Sequence, residues 1–358
     1  MLRSEDMETK EQVPNRDDLP AWIEDRAILP EPETIVGYIR TLGLETRFGS
    51  AISIIIKPNF AGGSALSTES HAVTNPEMIL RVINGIRLIN QKANIFIAES
   101  DSAGKGYAFL KFENMGISAW NLHRVNLLDL SRDRLERAVL DKPLYFKDDT
   151  DPLWLSETYL KADLLVSMAN LKTHAVTAYT GACKNLFGVL PREDKYVYHP
   201  DVHKVIYDLV RCRKPDLSIV DGYRGMEENG PISGRPVNLG VRIWSGDAVT
   251  ADLVSCKIID MDYKKVNYLA LLNKDKPLQL NADSITRNPI KHRTKLMVFF
   301  NYWGLKVQRA GYNLYMYGHR IHSVSSWLWF VLMTIRPVLL KFFNLQTLKT
   351  WKRKYLDD

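Results

Sequence analysis

Only three cysteines occur in the 358 residues, Cys183, Cys212 and Cys256. Their separations match no paired zinc or iron–sulfur spacing and suggest no disulfide framework, which argues against a cluster protein and a stapled secreted domain. Neither G-x-x-x-x-G-K-[ST] nor G-x-G-x-x-G is present. Gly62-Gly63-Ser64 and Ala103-Gly104-Lys105-Gly106 look like anion loops only superficially, so a P-loop NTPase and a standard dinucleotide fold are disfavoured. The first twenty residues, MLRSEDMETKEQVPNRDDLP, mix both charges and lack the apolar run of a secretory signal; they read as a mobile arm. Residues 324–340, VSSWLWFVLMTIRPVLL, are broken by Arg336-Pro337 and fall short of the roughly 18–20 uninterrupted residues that span a bilayer. No internal repeat or low-complexity block is visible.

What the chain does contain is enough apolar material, 46% against 25% charged residues, for one large core or two smaller ones. Between about residues 50 and 275, β-branched runs, polar loops and helical periods alternate. The class expected is α/β: a mostly parallel sheet covered by helices, with a C-terminal helical, basic and aromatic tail. The organisation expected is an arm and lead-in over 1–45, an α/β domain over 46–275 and the tail over 276–358. Strands are expected at Ile52–Ile56, Asn94–Ala98, Val125–Leu128, Asp163–Met168, Leu217–Val220 and Leu239–Trp244. Helices are expected at Gly106–Met115, Pro152–Leu160, Thr180–Leu190, Asp201–Cys212 and Asp247–Ile259. Another helix should begin at Asn75, with Pro76 in its first turn, and bury Ile79, Val82, Ile83 and Ile86.

Ligands of an open parallel sheet bind beyond the carboxyl ends of its strands, and the loops there are polar. They are Lys57-Pro58-Asn59, Glu99-Ser100-Asp101-Ser102, Asn170-Leu171-Lys172-Thr173-His174, Asp221-Gly222 and Ser245-Gly246-Asp247. Convergence of these five loops would place Lys57, Lys172, His174 and Lys184 beside Asp101, Asp221, Glu227 and Asp247. That mixture suits an anionic substrate, with or without a divalent cation. We assign chemistry to Lys172, His174, Lys184 and Asp221, substrate binding to Lys57, Asn59, Asn185 and Ser245, and a cation to Asp101, Glu227 and Asp247. The competing reading makes Asp101 and Asp247 helix or turn caps and leaves the lysines in solvent.

The run from Lys172-Thr173-His174 through Thr180-Gly181-Ala182-Cys183-Lys184-Asn185-Leu186-Phe187-Gly188 resembles the family of domain of unknown function 362. Ile56-Lys57-Pro58-Asn59, Thr74-Asn75-Pro76-Glu77, Glu99-Ser100-Asp101, Asp221-Gly222, Gly225-Met226-Glu227 with Gly230-Pro231, and Ser245-Gly246-Asp247 with Ala251-Asp252 extend the resemblance in order over about 50–260. Many members carry a ferredoxin-like domain with closely spaced cysteines; this chain has none, so the resemblance implies no iron–sulfur cluster here. A shorter likeness, His174, Gly181-x-x-Lys184, Pro191 and His199, is similar to the series in nickel-pincer lactate racemases. It would make Lys184 a nucleotide tether and His174 or His199 a metal ligand or proton carrier. On the competing reading His199 and His203 only decorate a helix start.

The net charge of +7 is unevenly placed. From Lys291 onward there are 12 Lys or Arg against two acids, and before it 36 against 39. Trp303, Trp327, Trp329 and Trp351, four of the eight tryptophans, lie in the same stretch. Such a tail fits the headgroup layer of an anionic membrane, with Lys341, Lys349, Lys352, Arg353 and Lys354 toward lipid. Packing of the tail on the core, or a homo-oligomer interface, is the alternative; nucleic acid is disfavoured because no reading motif is present. The sequence therefore points to a cytoplasmic enzyme peripheral to the inner membrane face, acting on a small or lipid-linked anion. Its rival is a non-catalytic membrane-associated scaffold.

Overall fold

Ile54, Ile55 and Ile56 are all fully buried, which a strand achieves only when both faces of its sheet are covered. A computed structural model describes residues 12–13, 21–24, 28–60, 67–102, 105–147, 150–228, 230–232, 234–274 and 289–291. The chain divides into two compact units, Met1–Lys195 with Asp201–Arg293, and Tyr196–Pro200 with Thr294–Asp358. The expected tail over 276–358 lies outside the described residues apart from 289–291, as does the Gly62-Gly63-Ser64 loop.

In the first unit a mixed sheet runs in the order β1 (Gln12–Val13), β2 (Ala21–Glu24), β12 (Arg242–Ser245), β10 (Leu217–Glu227), β8 (Leu164–His174), β3 (Ser53–Pro58), β4 (Asn94–Glu99) and β5 (Val125–Asp129). From β10 to β5 all neighbours are parallel, whereas β12 pairs antiparallel with both β10 and β2. Short strands β9 (Ala178–Thr180) and β11 (Arg235–Val237) pair with the far ends of β8 and β10. A separate ribbon joins β6 (Leu135–Arg137) to β7 (Trp154–Ser156).

One sheet face presents Ile54, Ile56, Ile95, Ile97, Leu164, Val166 and Met168 to a core shared with α1 (Pro32–Thr41) and α3 (Pro76–Ile89). Helix α3 starts as its sequence predicts: the Asn75 side chain accepts from the Glu77 amide and Pro76 opens the first turn. Ile79, Val82, Ile83 and Ile86 are buried. The opposite face, reached by Ser167 between Val166 and Met168, lies against α6 (Ala182–Asn185) and α8 (Ala248–Ile258). Helices α4 (Tyr107–Asn114) and α7 (Val202–Cys212) fall where expected.

Four expectations need correction. The strands expected to end at Met168 and Val220 continue to His174 and Glu227, because their polar residues are buried in the sheet and not exposed in loops. Thr180–Leu190 is not one helix but the end of β9, the four-residue α6 and a 3-10 turn, Leu186–Val189. Pro152–Leu160 holds β7 before α5 (Glu157–Lys161). Part of the expected arm and lead-in over 1–45 supplies β1, β2 and α1, whose Ile35 and Ile39 are fully buried.

Candidate functional site

The antiparallel direction of β12 decides which loops meet. Ser245 pairs with Ser218 near the amino end of β10, while Asp221 pairs with Arg242 at the other end of that ladder. The Ser245-Gly246-Asp247 loop therefore lies at the opposite edge of the sheet from the loops after β3, β4 and β8. Ser245 and Asp247 do not join the others. Asp247 instead caps α8, its carboxylate accepting from the amide and hydroxyl of Thr250. Asp101 likewise caps α4 through the amides of Gly106 and Ala108. Glu227 pairs with Arg235 and accepts from the Lys291 amide. Asp101, Glu227 and Asp247 are thus engaged separately, and among the described residues no group of three or more His, Cys, Asp or Glu is placed to hold a metal ion.

The lysines are not solvated. Lys172 is 1% exposed, and its amine donates to the Ala72 carbonyl at 2.6 Å. Burial, with the charge of Lys184 added, pulls this amine down to about 7. Lys184 is partly exposed on α6, its amine 5.4 Å from the centre of the Phe187 ring and lowered to about 8 by desolvation. No carboxylate contributes to either shift. His203, on α7, feels Lys184 as well: desolvation and that charge lower it to about 4, so it is neutral at pH 7. Its Nδ1 accepts from the Tyr268 amide at 3.3 Å, which leaves Nε2 as the protonated nitrogen. His174 Nδ1 accepts from the Val176 and Thr177 amides, so this histidine shapes the turn between β8 and β9.

The backbone that presents Lys184 is held by Asp252, a residue whose role the sequence concealed. Its carboxylate accepts from the amides of Ala182 at 2.7 Å and Cys183 at 3.0 Å and from the Tyr179 hydroxyl at 3.1 Å. Burial raises this carboxyl to about 7. Gly181 is required here for closeness of approach: a Cβ would lie 2.1 Å from both Asp252 Oδ1 and the Tyr179 hydroxyl oxygen. At the other end of α6, Asn185 donates to the Lys57 carbonyl at 2.9 Å and to Ser167 Oγ at 3.1 Å, tying the helix to β3 and β8. Asn59 links the Ala72–Thr74 segment to β3 by donating to Ala72 O and by exchanging hydrogen bonds with Thr74. Asn185 and Asn59 are therefore braces around the lysines.

Lys57 belongs to a second basic cluster, with Glu99, Lys111 and Lys195. Sequence reading missed Lys111 and Lys195, which look like ordinary helix and loop lysines. Asp221 is elsewhere again, in a buried network in which Arg242 lies 3.4 Å from it and 3.3 Å from Glu24. His199 falls in the second unit. A surface cavity of about 400 Å³ beside Cys256, Lys257, Asp260 and Tyr263 includes none of these lysines.

The site thus holds one lysine within the long strand β8 and a second in a Gly-Ala-Cys-Lys turn capped by a buried aspartate, with polar braces from Asn59 after β3 and Asn185 on α6. Residues 54–257 match the family described as Domain of unknown function (DUF362). The chain belongs to this family. Among its relatives is a thylakoid-associated protein of Synechocystis sp., 28% identical over 255 residues, covering 68% of this chain and 74% of that protein. Among solved structures, the lactate racemase apoprotein of Thermoanaerobacterium thermosaccharolyticum shares 16% identity at a TM-score of 0.44. That match covers 70% of this chain and 62% of the racemase, so the chain spans less than two thirds of it. Among the described residues of this DUF362 chain, no helix is long and apolar enough to cross a membrane.

Proposed function

We propose that the chain is an enzyme that binds a small or lipid-linked anionic substrate at Lys172 and Lys184 and moves a proton with one of the two amines. The observation that carries this reading is the pairing itself: Lys172, lowered to about 7 by burial and by the charge of Lys184, accompanies a second amine that desolvation lowers to about 8, with no carboxylate acting on either. A charged amine without a counter-ion is a ready partner for a substrate carboxylate or phosphate. An amine that titrates near neutrality is equally able to accept a proton and return it. His203, held neutral beside Lys184, adds no competing charge. Asp101 and Asp221 are engaged elsewhere, which leaves proton transfer to the amines and to His174.

We place this activity at a membrane face. Two things support that placement, the twelve basic residues and four tryptophans from Lys291 onward and the naming of the Synechocystis relative as thylakoid-associated. Co-sedimentation with anionic vesicles at low and high salt tests it: binding should weaken as salt rises, and salt-independent or absent binding contradicts it.

The catalytic site is tested by following thermal unfolding of the full chain against a panel of small carboxylates and phosphate monoesters at fixed ionic strength. At least one is expected to raise Tm saturably. Lys172→Met and Lys184→Met should each weaken that ligand about 10–100-fold, the worth of one charge-assisted hydrogen bond. Affinity should also fall as pH rises through about 8, where Lys184 loses its charge. A panel in which no ligand gives a saturable response that either substitution weakens overturns the reading.

A further inference from the structure

We infer that Lys57, Lys111 and Lys195 form a second anion site, for a tetrahedral oxyanion of the phosphate or sulfate type, beyond the carboxyl ends of β3 and β4. Its residues are distinct from Lys172 and Lys184, and it does not depend on the reaction proposed for them.

Three amines from three parts of the chain meet around one carboxylate. Lys57, at the end of β3, reaches Glu99 Oε2 at 3.0 Å, and Lys111, on α4, lies 3.7 Å from Oε1. Lys195 donates to the hydroxyl of Ser100, the residue after Glu99, and to the Gly188 carbonyl at 3.3 Å. All four charged groups are buried. Such a position, after two adjacent parallel strands, is where open α/β sheets hold ligands.

Counting donors shows what is unfilled. Each ammonium carries three N–H groups. Lys57 uses two, to Glu99 and the Pro58 carbonyl, and Lys195 uses two. Lys111 donates to the Ser100 carbonyl at 2.9 Å, its separation from Glu99 exceeding hydrogen-bond length. Every amine therefore retains at least one N–H with no acceptor among the described residues. Three such donors from three segments of the chain suit a tetrahedral oxyanion, which offers an acceptor oxygen to each.

The charges are also unequal. Facing the three lysines are Glu99 and, more distantly, Asp101, both of whose oxygens already accept amides of the α4 start. Asp129 acts on Lys111's side of the cluster but is paired with Arg132 at 3.3 Å. A buried positive excess is costly, and a protein relieves it by releasing protons or by taking up an anion. Burial lowers both Lys57 and Lys195, with Lys111 opposing their charge in each case. Glu99 is pushed up by burial, but Lys111, Lys57 and Lys195 outweigh that and hold it below the usual carboxylate range. An oxyanion among these amines would oppose that lowering and favour the protonated forms, so binding tightens as pH falls. Gly188 permits the arrangement, since a Cβ there would stand 3.0 Å from the Lys57 amine and 3.4 Å from Glu99.

Titration calorimetry of the full chain with inorganic phosphate and with sulfate, against chloride at matched ionic strength, tests the site. The expected result is a saturable oxyanion site that weakens as pH rises, persists in Lys172→Met, and weakens at least about tenfold in Lys111→Met and Lys195→Met. Glu99→Gln provides a variant with the opposite sign: it removes the negative charge nearest the anion and should tighten phosphate binding. A phosphate monoester that binds as well as inorganic phosphate would identify a substrate group as the occupant; a strong preference for the inorganic ion would identify a free anion. Absence of saturable binding to the wild-type chain, or binding unchanged by both lysine substitutions, overturns the inference.

Discussion

Arg242→Met is expected to lower the unfolding free energy by about 3–5 kcal/mol, the range found when one partner of a buried ion pair is removed. Arg242 is 2% exposed, sits 3.3 Å from Glu24 and 3.4 Å from Asp221, and lies over the Tyr223 ring at 4.4 Å. Trp244 completes the network by donating to Glu24 at 2.9 Å. Methionine would fill much of the volume but leave two carboxylates buried together. Burial already raises both Glu24 and Asp221, with Arg242 opposing it. Without Arg242 their folded values rise further above the unfolded ones. Groups raised in this way favour folding in acid and lose that contribution as pH rises through the folded value. The deficit of the variant should therefore be small near pH 4 and full at pH 7. Denaturant unfolding at both pH values checks this, and Glu24→Gln in the Arg242→Met background should recover part of the loss. A cost below about 1 kcal/mol at pH 7 would show that the network does not hold β2 to β12.

Asp252→Ala should be nearly as damaging, at about 3 kcal/mol or more, because the Ala182 and Cys183 amides and the Tyr179 hydroxyl lose their acceptor inside the protein. Its pH dependence runs in a defined direction. The carboxyl is raised from 3.8 to about 7 by burial, so its proton stabilises the fold in acid and that contribution fades between about pH 4 and 7. The variant lacks this dependence, and its deficit should be larger at pH 5 than at pH 8. Gly181→Ala, which would set a methyl 2.1 Å from Asp252, should perturb the same turn without removing a charge. Both variants should weaken anion binding at Lys184 even where they remain folded, because that turn positions the lysine.

These two effects differ in how far the sequence announced them. The alternation of strands and helices, the Asn75-Pro76 start of α3 and its buried stripe were readable because periodicity and capping are local properties. The direction of β12 was not, since a strand carries no local sign of whether its neighbour is parallel; Ser245 and Asp247 were placed with the wrong loops for that reason. Asn170, Lys172 and His174 resembled a polar loop, yet they continue a fully buried strand whose polar groups find acceptors and donors in neighbouring segments. Lys111 sits in YAFLKFEN, where nothing separates a solvated lysine from one turned inward onto Ser100 and Glu99. Asp252 lay in a family-like dipeptide, but its partners are some seventy residues away and only the packing of α8 on α6 brings them together. The site is thus legible as a collection of loops and lysines, and its division into two basic clusters and one separate ionic network is a tertiary fact.

The most direct test of the central claim is the titration of the two lysines themselves. Competitive acetylation of the full chain across pH 6–11, with site-resolved mass spectrometry, reads the reactivity of each amine as it loses its proton. The account predicts that Lys184 titrates near 8 and Lys172 near 7, and that a bound small anion moves both upward. Titration of both amines near the ordinary lysine value of 10.5, unaffected by anions, would contradict the claim that they form an uncompensated pair.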